Sequence, residues 1–188
     1  LYELTGTKPP NIFDQFWYNR GNSTSTSHSL EGINAQLGGM GGCFSADTQI
    51  LMADGSLKMI DKVQVGDITL TRKSDQDSKL LRSKVLGIQK IDVDGYLIIN
   101  DDIKVTPEHK IWVNKTWKEA GSIQIGDYLT NSQDEKVYVR SVEWQKGKFT
   151  VYNLETELHT FFADKLYVHN QKGGGSSRSI FKDTAYWN

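Results

Sequence analysis

The chain has little cysteine, little proline and no excess of either charge, and each shortage excludes a class of protein. Among its 188 residues are 1 cysteine, 3 prolines and 4 histidines, and the net charge is −1 at pH 7. A single cysteine excludes an internal disulfide and a zinc site made from paired cysteines, and no two histidines have short ligand spacing, so we expect neither metal nor cofactor. A charge this close to zero gives no electrostatic basis for binding nucleic acid or membrane. No apolar run approaches the roughly 18 residues that a membrane helix needs.

Short runs of β-branched and aromatic residues make up much of the chain, and they predict an all-β protein. The predicted strands cover residues 85–91, 96–100, 137–144, 150–154 and 161–168. The segment from Ser74 to Lys84 is polar and charged, which is typical of a surface loop. Because the chain opens at Leu1 without a methionine, we expect it to be a piece of a longer protein.

An internal repeat indicates that two copies of one β-unit pack against each other. The segment Val63-Gln64-Val65-Gly66-Asp67 recurs as Ile123-Gln124-Ile125-Gly126-Asp127, and residues 50–54 align with residues 110–114. Each copy contains a polar dipeptide suited to a hairpin turn, Asp54-Gly55 in the first and Asn114-Lys115 in the second. The repeat therefore predicts a pseudo-two-fold arrangement of strands.

Two glycine-rich segments divide the chain. Gly38-Gly39-Met40-Gly41-Gly42 comes directly before the cysteine, and Gln171-Lys172-Gly173-Gly174-Gly175 follows the pair His169-Asn170. Segments of this composition behave as flexible coil. We therefore predict three parts: an N-terminal flank at 1–42, a folded domain at 43–170 and a C-terminal flank at 171–188.

The predicted domain begins with a thiol, which could cut the chain at its own N-terminal edge. A thiolate of Cys43 could attack the carbonyl carbon of Gly42 and move the acyl group from nitrogen to sulfur, giving a thioester. The site would have to polarise the amide and stabilise the oxyanion that forms. Taken alone, however, a single cysteine is more often a small buried hydrophobe.

The other edge of the predicted domain carries an asparagine. The side-chain amide of Asn170 could attack its own backbone carbonyl, forming a succinimide and releasing the amine of Gln171. Free peptides do this slowly, so an acid or base must help, and His169 and His159 are the nearest candidates along the chain. Taken alone, a His-Asn pair is more often a polar strand end.

A third element is the sequence Thr106-Pro107-Glu108-His109 at the head of the second repeat. A hydroxyl and an imidazole three residues apart can converge on one peptide group. The imidazole can protonate a departing amide nitrogen, and the hydroxyl can hold the oxyanion or orient the ring. By itself such a pair is more often structural.

Together these segments resemble the splicing blocks of inteins, members of the Hint (hedgehog/intein) family. Four segments occur in the family's order: Cys43-Phe44-Ser45-Ala46-Asp47-Thr48 with the following Ala53 to Ser56 and Val65 to Asp67, Val105 to His109, Val151 to Ala163, and Leu166-Tyr167-Val168-His169-Asn170. The resemblance spans the whole of residues 43–170. It implies an all-β horseshoe with internal pseudo-two-fold symmetry, which agrees with the repeat.

The resemblance also implies a role for each matched residue at the N-terminal edge. Cys43 would be the nucleophile of an N–S acyl shift at the Gly42-Cys43 bond, with Thr106 and His109 activating that bond. No homing-endonuclease insert is present, so the domain would be a minimal one. Its substrate would be its own flanking polypeptide, and it would act as a monomer and turn over once.

At the C-terminal edge the resemblance implies that His159 and His169 assist the cyclisation of Asn170. Cyclisation would cut the Asn170-Gln171 bond. Inteins normally carry Cys, Ser or Thr after the terminal asparagine to accept the acyl group, and here that position is Gln171. A second departure is Asn153, where the family often has an aspartate.

The missing acceptor makes the chain similar to bacterial intein-like domains of type A. Two outcomes stay open. The thioester at Gly42 could hydrolyse while Asn170 cyclises, which gives cleavage at both edges. Alternatively, the freed amine of Gln171 could attack the thioester, which splices the flanks together. Cleavage is the favoured activity.

Three other functions compete with self-processing. A hedgehog-type domain would pass the thioester to an external nucleophile, but that chemistry has no use for Asn170. An inactive Hint domain could serve as an interaction module, although every matched catalytic residue is present. A cysteine hydrolase acting on other proteins has no supporting signal.

In the flank, Phe181 to Asn188 resembles α2-macroglobulin-like host proteins of bacteria, which would imply a secreted or periplasmic host.

Overall fold

The computed structural model describes residues 42–170, and nearly all of them lie in strands or in the turns that join strands. The predicted flanks, apart from Gly42, and the resemblance of residues 181–188 to a host protein lie outside this range. Two short 3₁₀ helices occur at Ile60–Lys62 and Ala120–Ser122. The strands are β1 (Phe44–Ser45), β2 (Gln49–Leu51), β3 (Leu57–Met59), β4 (Ile68–Ser74), β5 (Asp77–Ile99), β6 (Ile103–Val105), β7 (Lys110–Val113), β8 (Thr116–Glu119), β9 (Tyr128–Thr130), β10 (Lys136–Tyr138), β11 (Val142–Thr156), β12 (Thr160–Ala163) and β13 (Leu166–His169).

These strands form two sheets, and the all-β prediction is confirmed. One sheet has the order β11-β1-β6-β5-β4, and the other has the order β10-β9-β7-β13-β12-β2-β3 with β8 paired to β7. The long strands β5 and β11 pair antiparallel from Val142 opposite Ile99 to Thr156 opposite Val85, with two register shifts along the way. Such irregularities increase the local twist, and the pair curls into the expected horseshoe.

The two repeats adopt the same backbone structure, as their sequence similarity predicts. Gly66 has φ +97° and Gly126 has φ +94°, a region that favours glycine. In each copy the aspartate that follows, Asp67 or Asp127, accepts a hydrogen bond from the backbone N–H three residues earlier, at 2.8 Å and 3.0 Å respectively. The repeated Gly-Asp pair thus closes the same tight turn twice.

Both predicted hairpin turns are present. Asn114 and Lys115 have φ values of 51° and 61°, so they form a two-residue turn whose twist suits the flanking strands β7 and β8. In the first repeat Gly55 has φ +84°, and its N–H donates to the carbonyl of Met52 at 2.9 Å. The turns therefore set the strand registers that the repeat requires.

The predicted surface loop from Ser74 to Lys84 is wrong. Ser74 pairs with Asp77 across a two-residue tip, and β5 continues from there as one strand to Ile99. The polar composition reflects exposure, because most side chains in the first part of β5 point into solvent. The predicted strands 85–91 and 96–100 belong almost entirely to this single strand. The strand continues through Gly95, where the ring of Trp144 packs in the space that a side chain would occupy.

Fully buried apolar side chains from both sheets form the main core, among them Phe44, Ile50, Leu97, Ile111 and Phe161. Phe44 follows the cysteine directly, and Phe161 lies on β12. Their rings contact each other edge-on at 6.4 Å between centroids. The core therefore anchors both the start and the end of the predicted domain. No helix within residues 42–170 is long and apolar enough to cross a membrane.

Candidate active site

The peptide that joins Gly42 to Cys43 is held by Thr106. The N–H of Cys43 donates to the Thr106 hydroxyl oxygen at 2.8 Å, and the N–H of Thr106 donates to the Cys43 carbonyl at 2.8 Å. Strand pairing causes this contact, because Phe44 lies opposite Val105 on β6. Cys43 and Thr106 are both buried, so water does not compete for these hydrogen bonds.

The thiol of Cys43 is protonated at neutral pH. Burial and, to a smaller extent, the negative charge of Glu108 raise its pKa to about 12. The side chain lies in a small apolar cluster with Tyr96 and Val151. A thiol in such surroundings becomes a nucleophile only when a neighbouring group takes its proton.

His109 is fully buried and neutral. Burial lowers its pKa to about 4, with a smaller raising effect from the nearby Gly42 backbone and a lowering effect from His169. Its ring packs on Phe44 at 4.2 Å between centroids. Apart from the nearby Gly42 backbone, neither ring nitrogen has a hydrogen-bond partner within residues 42–170, which is costly for a buried polar group and typical of a functional position.

Gly42 lies directly against His109. A Cβ atom added at Gly42 would overlap the backbone nitrogen, Cα and Cβ of His109. The two residues that flank the Gly42-Cys43 bond are thus in contact with His109 and Thr106, respectively. Both members of the predicted Thr-x-x-His pair therefore converge on one peptide group.

Asn170 is the last residue of the predicted domain. It is buried, and the turn between β11 and β12 holds it. Its backbone N–H donates to the carbonyl of His159 at 2.9 Å. With the side-chain amide oriented to satisfy its neighbours, Nδ2 donates to the same carbonyl at 2.5 Å and Oδ1 accepts from the N–H of Thr156 at 2.8 Å. The amide nitrogen is therefore held in one place.

The two histidines near Asn170 differ in their surroundings. His159 has φ 61° and an exposed side chain, and its main-chain carbonyl accepts the hydrogen bonds that Asn170 donates. His169 ends β13, opposite Thr160, and is half-buried. Burial lowers the pKa of His169, the Asn170 backbone raises it, and the charges of His159 and Lys110 lower it.

Asn153 lies on β11 close to Cys43. Phe44 pairs with Tyr152, so one further step along this register brings Asn153 opposite the cysteine. Its Oδ1 accepts from the N–H of Leu154 at 2.9 Å, and the side chain is buried. A neutral amide therefore occupies the position where the family often has a carboxylate.

The predicted site residues thus form two groups. Cys43, Thr106 and His109 surround the Gly42 peptide, and His159, His169 and Asn170 gather at the end of β13. The groups are electrostatically linked, because a charge on His169 lowers the pKa of His109. Residues 42–170 contain no cluster of three or more His, Cys, Asp and Glu side chains suited to a metal ion.

The structure adds residues that the sequence patterns did not reveal. Thr156 holds the Asn170 amide, and the ring of Trp117 packs edge-on against His169 at 5.4 Å between centroids. Trp117 in turn donates its indole N–H to Asp75 at 2.9 Å. Thr156 lies inside a matched block, but no spacing rule connects Asp75 or Trp117 to His169.

Three solved structures show what this arrangement resembles. A bacterial intein-like domain from Clostridium thermocellum is 27% identical, with a TM-score of 0.62 over 68% of this chain and 98% of that one. A DnaB intein from Synechocystis sp. PCC 6803 is 20% identical, with a TM-score of 0.58 over 69% and 98%. The gp41-1 intein is 21% identical, with a TM-score of 0.55 over 70% and 100%. No protein-family model matches the chain, and no curated protein sequence matches it.

The curled sheet, the repeat and these similarities define an all-β domain of the Hint class. Within that class the chain is similar to a bacterial intein-like domain and has the fold of inteins, in agreement with the sequence analysis. The predicted family is therefore confirmed.

Proposed function

We propose that residues 43–170 are a single-turnover autocatalyst that cuts its own chain at Gly42-Cys43 and at Asn170-Gln171. In the first reaction, the sulfur of Cys43 attacks the carbonyl carbon of Gly42 and the carbon–nitrogen bond breaks. The proton lost by the thiol ends on the freed amine of Cys43. The product is a thioester between Gly42 and Cys43, which water or an added thiol can cleave.

The observation that carries this proposal is the 2.8 Å hydrogen bond from the Cys43 N–H to the Thr106 hydroxyl. It fixes the plane of the bond to be broken. Attack makes the carbonyl carbon tetrahedral and ends its conjugation with the nitrogen, which becomes pyramidal. The hydroxyl of Thr106 can then turn and donate its own hydrogen to the nitrogen lone pair. Thr106 therefore assists both the orientation of the amide and the departure of the amine.

His109 is proposed to carry the proton between sulfur and nitrogen. It is neutral before reaction, so it can accept the thiol proton as the sulfur attacks. A buried imidazolium with a pKa near 4 is a strong acid, so it returns the proton readily to the departing nitrogen. Gly42 packs against the backbone and Cβ of His109, which keeps this residue beside the bond to be broken.

In the second reaction, Nδ2 of Asn170 attacks the backbone carbonyl carbon of the same residue. The bond to Gln171 breaks, a succinimide forms, and the amine of Gln171 takes the proton that Nδ2 loses. The carbonyl of His159 accepts from Nδ2, and so holds the attacking nitrogen in place. His169, adjacent in sequence, is the proposed acid that assists the leaving amine, and the exposed His159 imidazole remains a candidate helper.

Gln171 decides which products accumulate. It offers no side-chain nucleophile, so the two cuts give separate flanks as the main outcome. The freed amine of Gln171 can also attack the Gly42 thioester, joining the flanks in a minor reaction. In both cases the domain's substrate is its own flanking polypeptide, and we propose that it acts as a monomer.

The proposal is tested with a precursor whose two flanks are distinguishable by mass. We expect both flanks to be released, faster with added thiol at the N-terminal cut, with a smaller amount of product that lacks residues 43–170. Cys43→Ala should stop the N-terminal cut and leave the C-terminal one, and Asn170→Ala should do the reverse. Intact precursor after long incubation with thiol would refute self-processing and leave an interaction module as the better interpretation.

A further inference from the structure

The tip of the β4–β5 hairpin lies against the C-terminal half of the site. Its turn residues, Asp75 and Gln76, join Ser74 to Asp77. Asp75 is partly buried there, whereas Ser74 and Gln76 are exposed. A hairpin made largely of solvent-facing residues therefore directs one carboxylate inwards.

That carboxylate bridges two aromatic side chains from different strands. One oxygen accepts from the indole N–H of Trp117 at 2.9 Å, and the other accepts from the hydroxyl of Tyr167 at 3.3 Å. Both aromatic rings pack together at 5.0 Å between centroids. Asp75 therefore fixes the relative positions of β8 and β13.

Trp117 and Tyr167, the two residues that Asp75 bridges, both lie next to His169. The Trp117 ring packs edge-on against the imidazole at 5.4 Å between centroids. Tyr167 is two positions before His169 on β13, so the two side chains share one face of the strand. The buried rings of Trp112 and Phe162 form one apolar cluster with Tyr167, and Trp117 packs against it.

We propose that Asp75 is a positioning residue for cleavage after Asn170, because it holds Trp117 and Tyr167 in the arrangement that keeps the His169 imidazole beside the reacting peptide. The inference rests on the proposed function, since it assigns a support to a residue of the proposed second reaction. Asp75 accepts hydrogen bonds from Trp117 and Tyr167, and its charge acts on His169, so these contacts lie on the C-terminal side of the site. We therefore expect its effect to fall mainly on the C-terminal cut.

The charge of Asp75 supports the same role. Among the groups that face His169, Asp75 favours the protonated imidazole, and His159 and Lys110 oppose it. His109 also repels a charge on His169, and Glu119 lies opposite Lys110 on the neighbouring strand. Removing the negative charge should therefore move the pH dependence of C-terminal cleavage to lower pH.

The test measures C-terminal cleavage in full-length precursor carrying Cys43→Ala, with and without further substitutions. Asp75→Ala removes charge and hydrogen bonds, Asp75→Asn removes the charge but keeps an acceptor, and Trp117→Phe keeps a ring without the N–H. Asp77→Asn is the matched control, because it makes the same charge change on the same hairpin and keeps the oxygen that caps Lys79. A parallel series carrying Asn170→Ala reports N-terminal cleavage.

We expect Asp75→Ala and Trp117→Phe to slow C-terminal cleavage about ten-fold or more, with N-terminal cleavage and the Asp77→Asn control within about two-fold of the parent. Asp75→Asn should lose less rate but shift the pH midpoint downwards, and Trp117→Phe should lower the rate without that shift. C-terminal rates at the parent's level, or equal losses at both cuts, would overturn the inference. If the parent itself failed to cleave after Asn170, the proposed function would fail, and the inference with it.

Discussion

Cys43, which is bonded to Gly42, and His109, which packs against Gly42, are both uncharged in the resting site. Burial raises the pKa of the thiol to about 12 and lowers the pKa of the imidazole to about 4, so neither carries a charge at pH 7. A thiolate–imidazolium pair is therefore absent from the resting site. Reactivity must come from orientation of the peptide and from proton transfer during attack, rather than from a preformed nucleophile.

Substitutions of Thr106 test this dependence on orientation. Thr106→Val keeps the side-chain shape but loses the acceptor for the Cys43 N–H, so N-terminal cleavage should fall about 100-fold. Thr106→Ser keeps the hydroxyl and should stay within a few-fold of the parent. The measurement is thiol-induced release of the N-terminal flank from a precursor carrying Asn170→Ala. Equal rates for the valine and serine variants would contradict the assigned role.

The residue before the cut is equally constrained. Gly42→Ala places a methyl group against the backbone of His109, which cannot move away without disturbing Thr106. We expect N-terminal cleavage to slow at least ten-fold and the C-terminal cut to persist. The matched control is Gly41→Ala, which adds the same methyl group one residue earlier in the flank. The idea fails if the alanine at 42 is cleaved as fast as the glycine.

Among the elements, the hairpins bring the chemistry together, and they do so through turns with unusual backbone angles. The β12–β13 hairpin turns at Asp164 and Lys165, with φ values of 47° and 67°. Its register places His169 opposite Thr160, beside the turn that holds Asn170.

The same turn contains a carboxylate whose pKa is shifted. Burial is the main cause that raises the pKa of Asp164 to about 6, and the charges of Asp47 and Asp102 act in the same direction. The hydrogen bond from the N–H of Gln49 lowers this pKa, but by less.

Asp164→Asn should therefore stabilise the domain at pH 7. In the wild type, the folded state ionises Asp164 only near pH 6, whereas the unfolded chain ionises it near pH 4, so stability falls as the pH rises between these values. Asparagine suits the left-handed turn and keeps an acceptor for Gln49. Allowing for partial exposure, we expect a gain of roughly 1–2 kcal/mol at pH 7 that disappears below about pH 4.

Chemical denaturation of a precursor carrying Cys43→Ala and Asn170→Ala, which cannot process itself, gives this free energy of unfolding. Asp101→Asn makes the same change at an exposed left-handed position, φ 67°, and should alter stability by less than about 0.5 kcal/mol. A gain at Asp164 that did not vary with pH would show that burial of its charge is not the cause.

At the scale of the whole molecule, the paired strands β5 and β11 carry the two ends of the domain. β11 pairs with β1 beside Cys43, and its last residue, Thr156, holds the amide of Asn170. One continuous strand therefore connects the two halves of the site. Because β5 and β11 pair over most of their length, their curl sets where those halves lie relative to each other.

Two titratable groups, the buried His109 and the partly buried Asp164, determine much of how the stability of the whole domain responds to acid. His109 is neutral when folded and protonates near pH 4, but it protonates near pH 6.5 when unfolded, so its contribution is present above about pH 6.5 and is lost as the pH falls towards 4. Asp164 has the opposite effect over nearly the same range. The pKa of His169 is lowered too, so the wild type should still lose some stability as the pH falls from 6 to 4, and Asp164→Asn should lose more over the same range. Equal pH profiles for the two proteins would contradict this partial compensation by Asp164.

Much of the fold and of the site could be predicted because the signals are local. The Gly-Asp turns, the hairpin dipeptides and the order of the matched blocks each depend on residues a few positions apart. Composition wrongly predicts a loop from Ser74 to Lys84, because polar composition indicates exposure and not whether a segment pairs as a strand. Asp75 and Trp117 could not be found this way, since only sheet curvature brings the hairpin tip to His169.

The sequence by itself determined the family, the repeat and the types of side chain at each edge of the domain. These depend on residue identity and spacing, and so does the limit that we propose Gln171 places on the products. Tertiary structure alone decided how the side chains are poised: burial holds Cys43 and His109 uncharged, strand register directs the Cys43 N–H to Thr106, and a distant hairpin supports His169. Burial and register arise from contacts between segments far apart in the chain, which is why the spacing of residues could not reveal them.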